Sequence, residues 1–356
     1  MSVTDEVQPR AALRQPSRWE LPFGSIATSI ASLLAALVLT GIVILVLGAN
    51  PIQAYGAILS GALGNPYNTG LTLMVATPLI LTGLAAAIPF SARVWNIGGE
   101  GQLYAGAIAS VLVALTFTGL GAVPLTILSI ACGILAGGFW GAIGGALRVF
   151  AGANEVIVTL MLNFVALTVA DYVITGPWAQ NISPQTRNIP KGVTLPTIWP
   201  HTAVDLGLIL AVIAAGIVFV LMRRTPLGLA IRACGFNPDA ARLAGFSLGS
   251  IIMTAFAIGG ACAGLAGAIL VIGVNRALVP DISANYGYIG IAVALIAGLR
   301  PLWILPGALL FAIITVGGNN LTASSNISTS VSLIIEAIFV IFLLAFRVIR
   351  LQEATS

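Results

Sequence analysis

The chain has 356 residues, 58% of them hydrophobic and only 7% charged, with a mean hydropathy of +1.06. Water-soluble domains carry about 25% charged residues, so a globular protein with a water-facing surface is excluded. The formal net charge is +4. The bases stand at the ends of apolar runs and do not alternate with aromatics, which argues against a nucleic-acid partner and for orientation in a bilayer.

Crossing about 30 Å of hydrocarbon takes about 20 apolar residues. Runs of this kind, split at proline, glycine and polar breaks, predict ten spans. They cover residues 25–48, 69–91, 102–118, 121–147, 155–175, 206–222, 250–272, 286–299, 303–320 and 329–346. The third, eighth and ninth are short enough to be broken or re-entrant. The first run exceeds the 7–15 residues of a signal-peptide core and is expected to stay as an anchor. Cys132, Cys234 and Cys262 have no metal-ligand spacing and read as small packing residues.

Basic residues orient the chain. With the N-terminus inside, inner segments hold Arg10, Arg14, Arg18, Arg93, Arg148, Arg223, Arg224, Arg232, Arg242, Arg300, Arg347 and Arg350, and outer segments hold Arg187, Lys191 and Arg276. The expected fold is therefore all-α and polytopic, with both termini cytoplasmic. Residues 1–24 form an N-terminal tail, 25–346 a transmembrane domain and 347–356 a C-terminal tail. Residues 176–205, rich in proline, are expected as an ordered outer loop, and 223–249 as a basic, partly helical inner loop.

Small residues recur every four positions at Gly133, Gly137, Gly141 and Gly145, and again at Gly260, Gly264 and Ala268. This spacing lets helix backbones approach closely in lipid. Each glycine-rich run precedes an Asn-led helix (Asn154, Asn285), and the two units run in opposite senses, which points to an inverted repeat.

Three polar stretches interrupt the apolar pattern. In Asn96-Ile-Gly-Gly-Glu100-Gly-Gln102 a continuous helix is disfavoured. The stretch reads either as backbone lining a solute path or as a cytoplasmic turn between two spans. After Asn154, the residues Glu155, Thr159 and Asn163 form one stripe at helical spacing, with Asp171 continuing it outward. Such a stripe must face the bundle interior, as a solute surface or as interhelical hydrogen bonding. In the inner loop, Asn237 reads as an N-cap, with Pro238 and Asp239 in the first turn of a short helix that ends near Gly245.

The run Gly235-x-Asn237-Pro238-x-Ala240-Ala241-Arg242-x-Ala-Gly245-Phe, with the two upstream motifs, resembles bacterial ABC-importer permeases over about Pro51 to Arg347. The subgroup includes ribose-type sugar, branched-chain amino acid and nucleoside permeases, and the wording of the upstream motifs is most similar to the nucleoside branch. The resemblance implies a multi-pass protein of the bacterial inner membrane, importing a small neutral polar solute. A second homologous permease, a cytoplasmic ATPase and an extracytoplasmic solute-binding lipoprotein would be its partners, with lipid around it and no nucleic acid. It further implies an ATPase-coupling loop around Arg232, Gly235, Asn237, Pro238, Ala240, Ala241, Arg242 and Gly245. Asn96, Glu100, Gln102, Asn154, Glu155, Thr159 and Asn163 would lie along or beside the solute route.

The residues agree on one point. The only lysine is Lys191, so a G-x-x-x-x-G-K-[ST] phosphate cradle is impossible, ATP would be bound by a partner and the chain needs no cofactor of its own. An ion-driven secondary transporter using Glu100, Glu155 or Asp171 is the competing class. A membrane enzyme lacks any nucleophile–base constellation. His201, the sole histidine, reads as a surface residue in a Trp-Pro-His turn. The glycosylation-like triplets at Asn181, Asn320 and Asn326 read as unmodified, and 319–332 as an outer polar turn.

Overall fold

The computed structural model describes residues 23–46, 50–180, 183–324 and positions 337, 338 and 341. Its described residues are helical, apart from irregular links and two isolated β-bridges. Helices α1 (Phe23–Val46) and α2 (Pro51–Leu63) are bent by 114° about their link, where Asn50 caps α2. Next come α3 (Pro66–Ser91), α4 (Gly99–Thr116), α5 (Ala122–Phe150), α6 (Glu155–Thr175) and α7 (Leu206–Arg224). Two short helices, α8 (Pro226–Phe236) and α9 (Pro238–Leu243), precede α10 (Leu248–Ile269). A π-helical segment, Leu270–Asn275, prolongs α10, and α11 (Tyr286–Ile296) and α12 (Pro301–Ser324) complete the order.

Six described helices are long and apolar enough to cross a membrane: α3, α5, α6, α7, α10 with its π extension, and α12. The bent pair α1–α2 counts as a seventh if taken as one span. Six of the ten predicted spans coincide with these helices. The first predicted run omits α2, whose polar Gln53 and Ser60 dilute its apolar signal. The third, α4, has 18 residues, but Glu100 and Gln102 occupy its first turn. The eighth, α11, has only 11 residues, about 16 Å, too short to span alone. The tenth falls almost wholly outside the described residues. The predicted turn at 319–332 begins as helix, because α12 runs on to Ser324 and the Asn320 amide bonds the Gly61 carbonyl of α2 at 2.9 Å. The triplets at Asn181 and Asn326 lie outside the described residues.

Burial sorts the helices. In α3 and in α10 with its extension, 83% of the apolar window is buried, against 22% in α5 and 28% in α7. The first two are core throughout, whereas α5 turns only its glycine stripe to the core and its other faces outward. Close approach is set by glycine. A methyl added to Gly264 would strike the Gly133 carbonyl, one on Gly137 the Gly260 carbonyl, and one on Gly106 the Gly264 backbone. The predicted stripes of α5 and α10 therefore pack on each other, with α4 wedged alongside. In lipid, where apolar surface alone does not drive helices together, such contact supplies the dispersion and Cα–H···O interactions that hold them.

Residues 176–180 and 183–205 form an ordered loop stapled to the segment after α10. Thr186 N–H donates to the Leu278 carbonyl and Ile189 N–H to that of Arg276, at 3.0 and 2.9 Å. Asp205 ends the loop and caps α7, accepting from Gly207 N–H at 2.8 Å. Its second carboxylate oxygen is buried against Gly273 of the π-helical segment and has no hydrogen-bond partner. Burial pushes this carboxyl up to about 6 from 3.8, partly opposed by the Gly207 amide.

Two predictions follow from this packing. Gly264→Ala should destabilise the folded protein by about 1–3 kcal/mol through overpacking, while Gly216→Ala, where a methyl meets nothing within 4 Å, should not; thermal unfolding in detergent compares them. For Asp205 the folded carboxyl holds its proton more tightly than the unfolded one. Stability should therefore be lost as pH rises from about 4 to about 6 and stay level above. That loss should vanish in Asp205→Asn when melting is followed across the same window.

Candidate functional site: a buried polar hook and a cytoplasmic-type helical pair

Helix α3 stops at Ser91 and the chain reverses through residues 92–98 before α4 begins, so the predicted break in the Asn96–Gln102 motif is present. Arg93 makes the reversal in the left-handed region, φ 56°. Inside a bundle such irregular backbone needs internal partners. The side chains of Asn96 and Gln102 form a reciprocal amide pair, at 3.2 and 3.1 Å, that fixes the Asn96 oxygen toward the loop. The Asn96 oxygen also accepts from Gly98 N–H at 3.0 Å.

Helix α6 supplies the rest. Thr159 Oγ1 accepts from Ile97 N–H at 3.2 Å and donates to the Glu155 carbonyl at 2.7 Å. Asn163 Oδ1 accepts from Gly101 N–H at 2.8 Å, and its Nδ2 donates to the Ile97 carbonyl at 2.9 Å and to Tyr288 Oη at 3.1 Å. Glu100, 3% exposed, accepts from Gly287 N–H in the first turn of α11 at 2.8 Å. The α11 helix dipole favours a negative group there. Residues 92–102 thus form a hook fastened to α6 on one side and α11 on the other.

Five of the predicted route residues, Asn96, Glu100, Gln102, Thr159 and Asn163, therefore meet in one place. They are buried, and the amides of Asn96, Gln102 and Asn163 are engaged within the protein. The other two stand apart. Asn154 is the exposed N-cap of α6, accepting from Val156 and Ile157 N–H, and Glu155 pairs with Arg148 at 3.4 Å.

Asp171 is corrected. It does not continue the buried stripe, which runs on through Ala166, Ala170 and Val173. Each four-residue step overshoots a helical turn by about 40°, so two steps carry Asp171 off the Asn163 face. It sits instead on an exposed stripe with Ile157, Met161, Phe164, Thr168 and Tyr172. The chain enters α11 through a turn at residues 281–285, where Ala284 N–H donates to the Asp281 carbonyl at 2.9 Å. That turn was missed in the sequence. Its signal is conformational, with Asp281, Ala284 and Asn285 all at positive φ, and Asn285 stands at the N-cap position of α11 without capping it.

In the loop 223–249, Thr225 caps α8 and Asn237 caps α9, accepting from Asp239 and Ala240 N–H at 3.1 Å each. Arg242 pairs with Asp239 at 3.6 Å on the surface, and Gly245 ends the turn at φ +87°. Arg232, Pro238 and Ala240 are exposed, whereas Gly235 and Ala241 are buried against the protein. The exposed face is carried by two residues that the motif did not single out, Phe236 at 85% and Leu243 at 90% exposure. Among the described residues no group of His, Cys, Asp or Glu could hold a metal ion.

The family model for the permease component of branched-chain amino acid transport systems matches residues 68–344. A nucleoside ABC transporter permease of Lactococcus lactis subsp. cremoris is 34% identical over 316 residues, covering 86% of each chain. A guanosine ABC transporter permease of Bacillus subtilis is 35% identical over 317 residues, 87% of this chain and 90% of the relative. A glucose ABC transporter permease of Haloferax volcanii is 32% identical over 356 residues, 97% and 92%. With that match running through the hook, α6 and the α8–α9 pair alike, the chain belongs to the permease-component family of these transport systems and is a membrane-spanning subunit of an ABC transporter, not an enzyme.

Proposed function

We propose that this permease imports a nucleoside across a bacterial inner membrane, with ATP hydrolysed by a separate chain docked on α9. The observation that carries the docking is the pair Phe236 and Leu243, nearly fully exposed at the last residues of α8 and α9. Two large apolar side chains on a stiff, doubly capped element fit the groove of a partner better than they fit water. The substrate rests on the relatives named for nucleosides and guanosine. A second reading, a simple sugar, is favoured by the relative named for glucose, which this chain matches along nearly its whole length.

The working assembly in this reading contains a second related permease, the ATPase and an extracytoplasmic binding lipoprotein. The chain has about ten membrane-embedded helices, α11 among them as a partial insertion, with both termini inside, and its α5–α6 and α10–α11 units form an inverted repeat. The solute does not touch the amides of the hook, which hold backbone. It passes along the exposed stripe of α6. A carboxylate such as Asp171, without a basic partner among the described residues, is costly against lipid and belongs beside a water-filled passage. That passage closes only when a second permease covers the stripe.

Vesicles holding both permeases and the ATPase, supplied with the binding protein, should take up labelled guanosine, dependent on ATP. Preference for glucose would select the sugar reading. Uptake that persists without ATP on an ion gradient would reject both. Replacing Phe236 and Leu243 together by Asp should cut ATPase co-purification at least tenfold and leave membrane insertion intact. Asp171→Leu should lower uptake by about tenfold or more with assembly unchanged.

A further inference from the structure

The α8–α9 pair touches the rest of the chain at a place that leads directly to the hook. Gly235, in the last turn of α8, lies against the carbonyl of Ser91 at the end of α3, so closely that a methyl group there would collide with it. Ser91 is followed by the reversal at Arg93, and five residues after Ser91 comes Asn96, where the amide pair begins. From Asn96 onward the hook grips α6 through Thr159 and Asn163, and α11 through Glu100. At its start α6 is joined to α5 by a short link containing Gly152, at φ +62° with no atom within 4 Å of where a side chain would stand. The start of α6 is thus held by the hook, and across its link to α5 by the Arg148–Glu155 pair at 3.4 Å.

We propose that Gly235 is a positioning residue for transport. Its contact with Ser91 passes displacement of the α8–α9 pair into residues 92–102, and the bonds to Thr159 and Asn163 pass it on to α6. Hydrogen bonds tie the hook across its own loop, so it moves as one body. The small residue at 235 lets α8 press on the α3 terminus without an intervening side chain that rotates away. This inference rests on the docking proposed above for α9 and adds the route by which docking reaches the solute-facing stripe.

The test uses the complete transporter in vesicles with binding protein, comparing the wild type with Gly235→Ala and, at the far end of the route, Asn163→Ala. Gly235 faces α3 and Asn163 lies in the bundle, so neither is on the docking face. For both variants the expected result is ATPase co-purification as in the wild type, ATP hydrolysis within twofold, and uptake lowered at least tenfold. Hydrolysis continuing without import is a signature that a mere packing defect does not give. Import by either variant at the wild-type rate would overturn the proposal. So would loss of uptake, hydrolysis and assembly in equal proportion in either variant. A wild-type complex that fails to assemble or to need ATP would instead count against the docking itself.

Discussion

Backbone that leaves helical geometry within a membrane bundle must find hydrogen bonds inside the protein, and here Asn96, Thr159 and Asn163 meet that demand. Asn96 and Gln102 close the loop on itself, and Asn163 reaches across from α6 to an amide and a carbonyl of the hook. Without them the reversal between α3 and α4 would leave amides and carbonyls unpaired in a dry interior, each at a cost of about 1–3 kcal/mol. The positions of α4, α6 and α11 relative to one another follow from that arrangement. Amides suit the task because each offers donor and acceptor together and carries no charge to desolvate.

Glycine solves a different problem at the core. The α5 and α10 stripes bring main chains together at Gly137 and Gly260, and Gly106 of α4 joins them. Side-chain entropy is not spent there, and the rim helices remain free to present apolar faces. The polar hook sits where this glycine-packed core meets the looser α6.

Much of this was legible in the sequence. The cap at Asn237, the short helix after Pro238 and the glycine stripes could be read from residue type and spacing, because local chemistry decides them. The break at Asn96–Gln102 was legible too, though not which of its groups would be spent on other helices. Asp171 was misplaced because spacing by fours drifts around the helix over sixteen residues. That Ala241 is buried and Phe236 exposed was not legible, for a related reason. A motif fixes which residues recur together but not which way a short helix is turned against the bundle, and that depends on packing with α8 and α10. Helix α11 was overextended because its apolar run continues past Ile296 into the turn at residues 297–300.

The exposed pair Phe236 and Leu243 has a consequence for biogenesis. In the docking proposed above, a chain that reaches the membrane before its nucleotide-hydrolysing partner displays two bulky greasy side chains, at the last residues of α8 and α9, that these short helices cannot fold away. Surveillance proteases and chaperones recognise such surface, so orphan copies carry their own mark for removal, and assembly hides it.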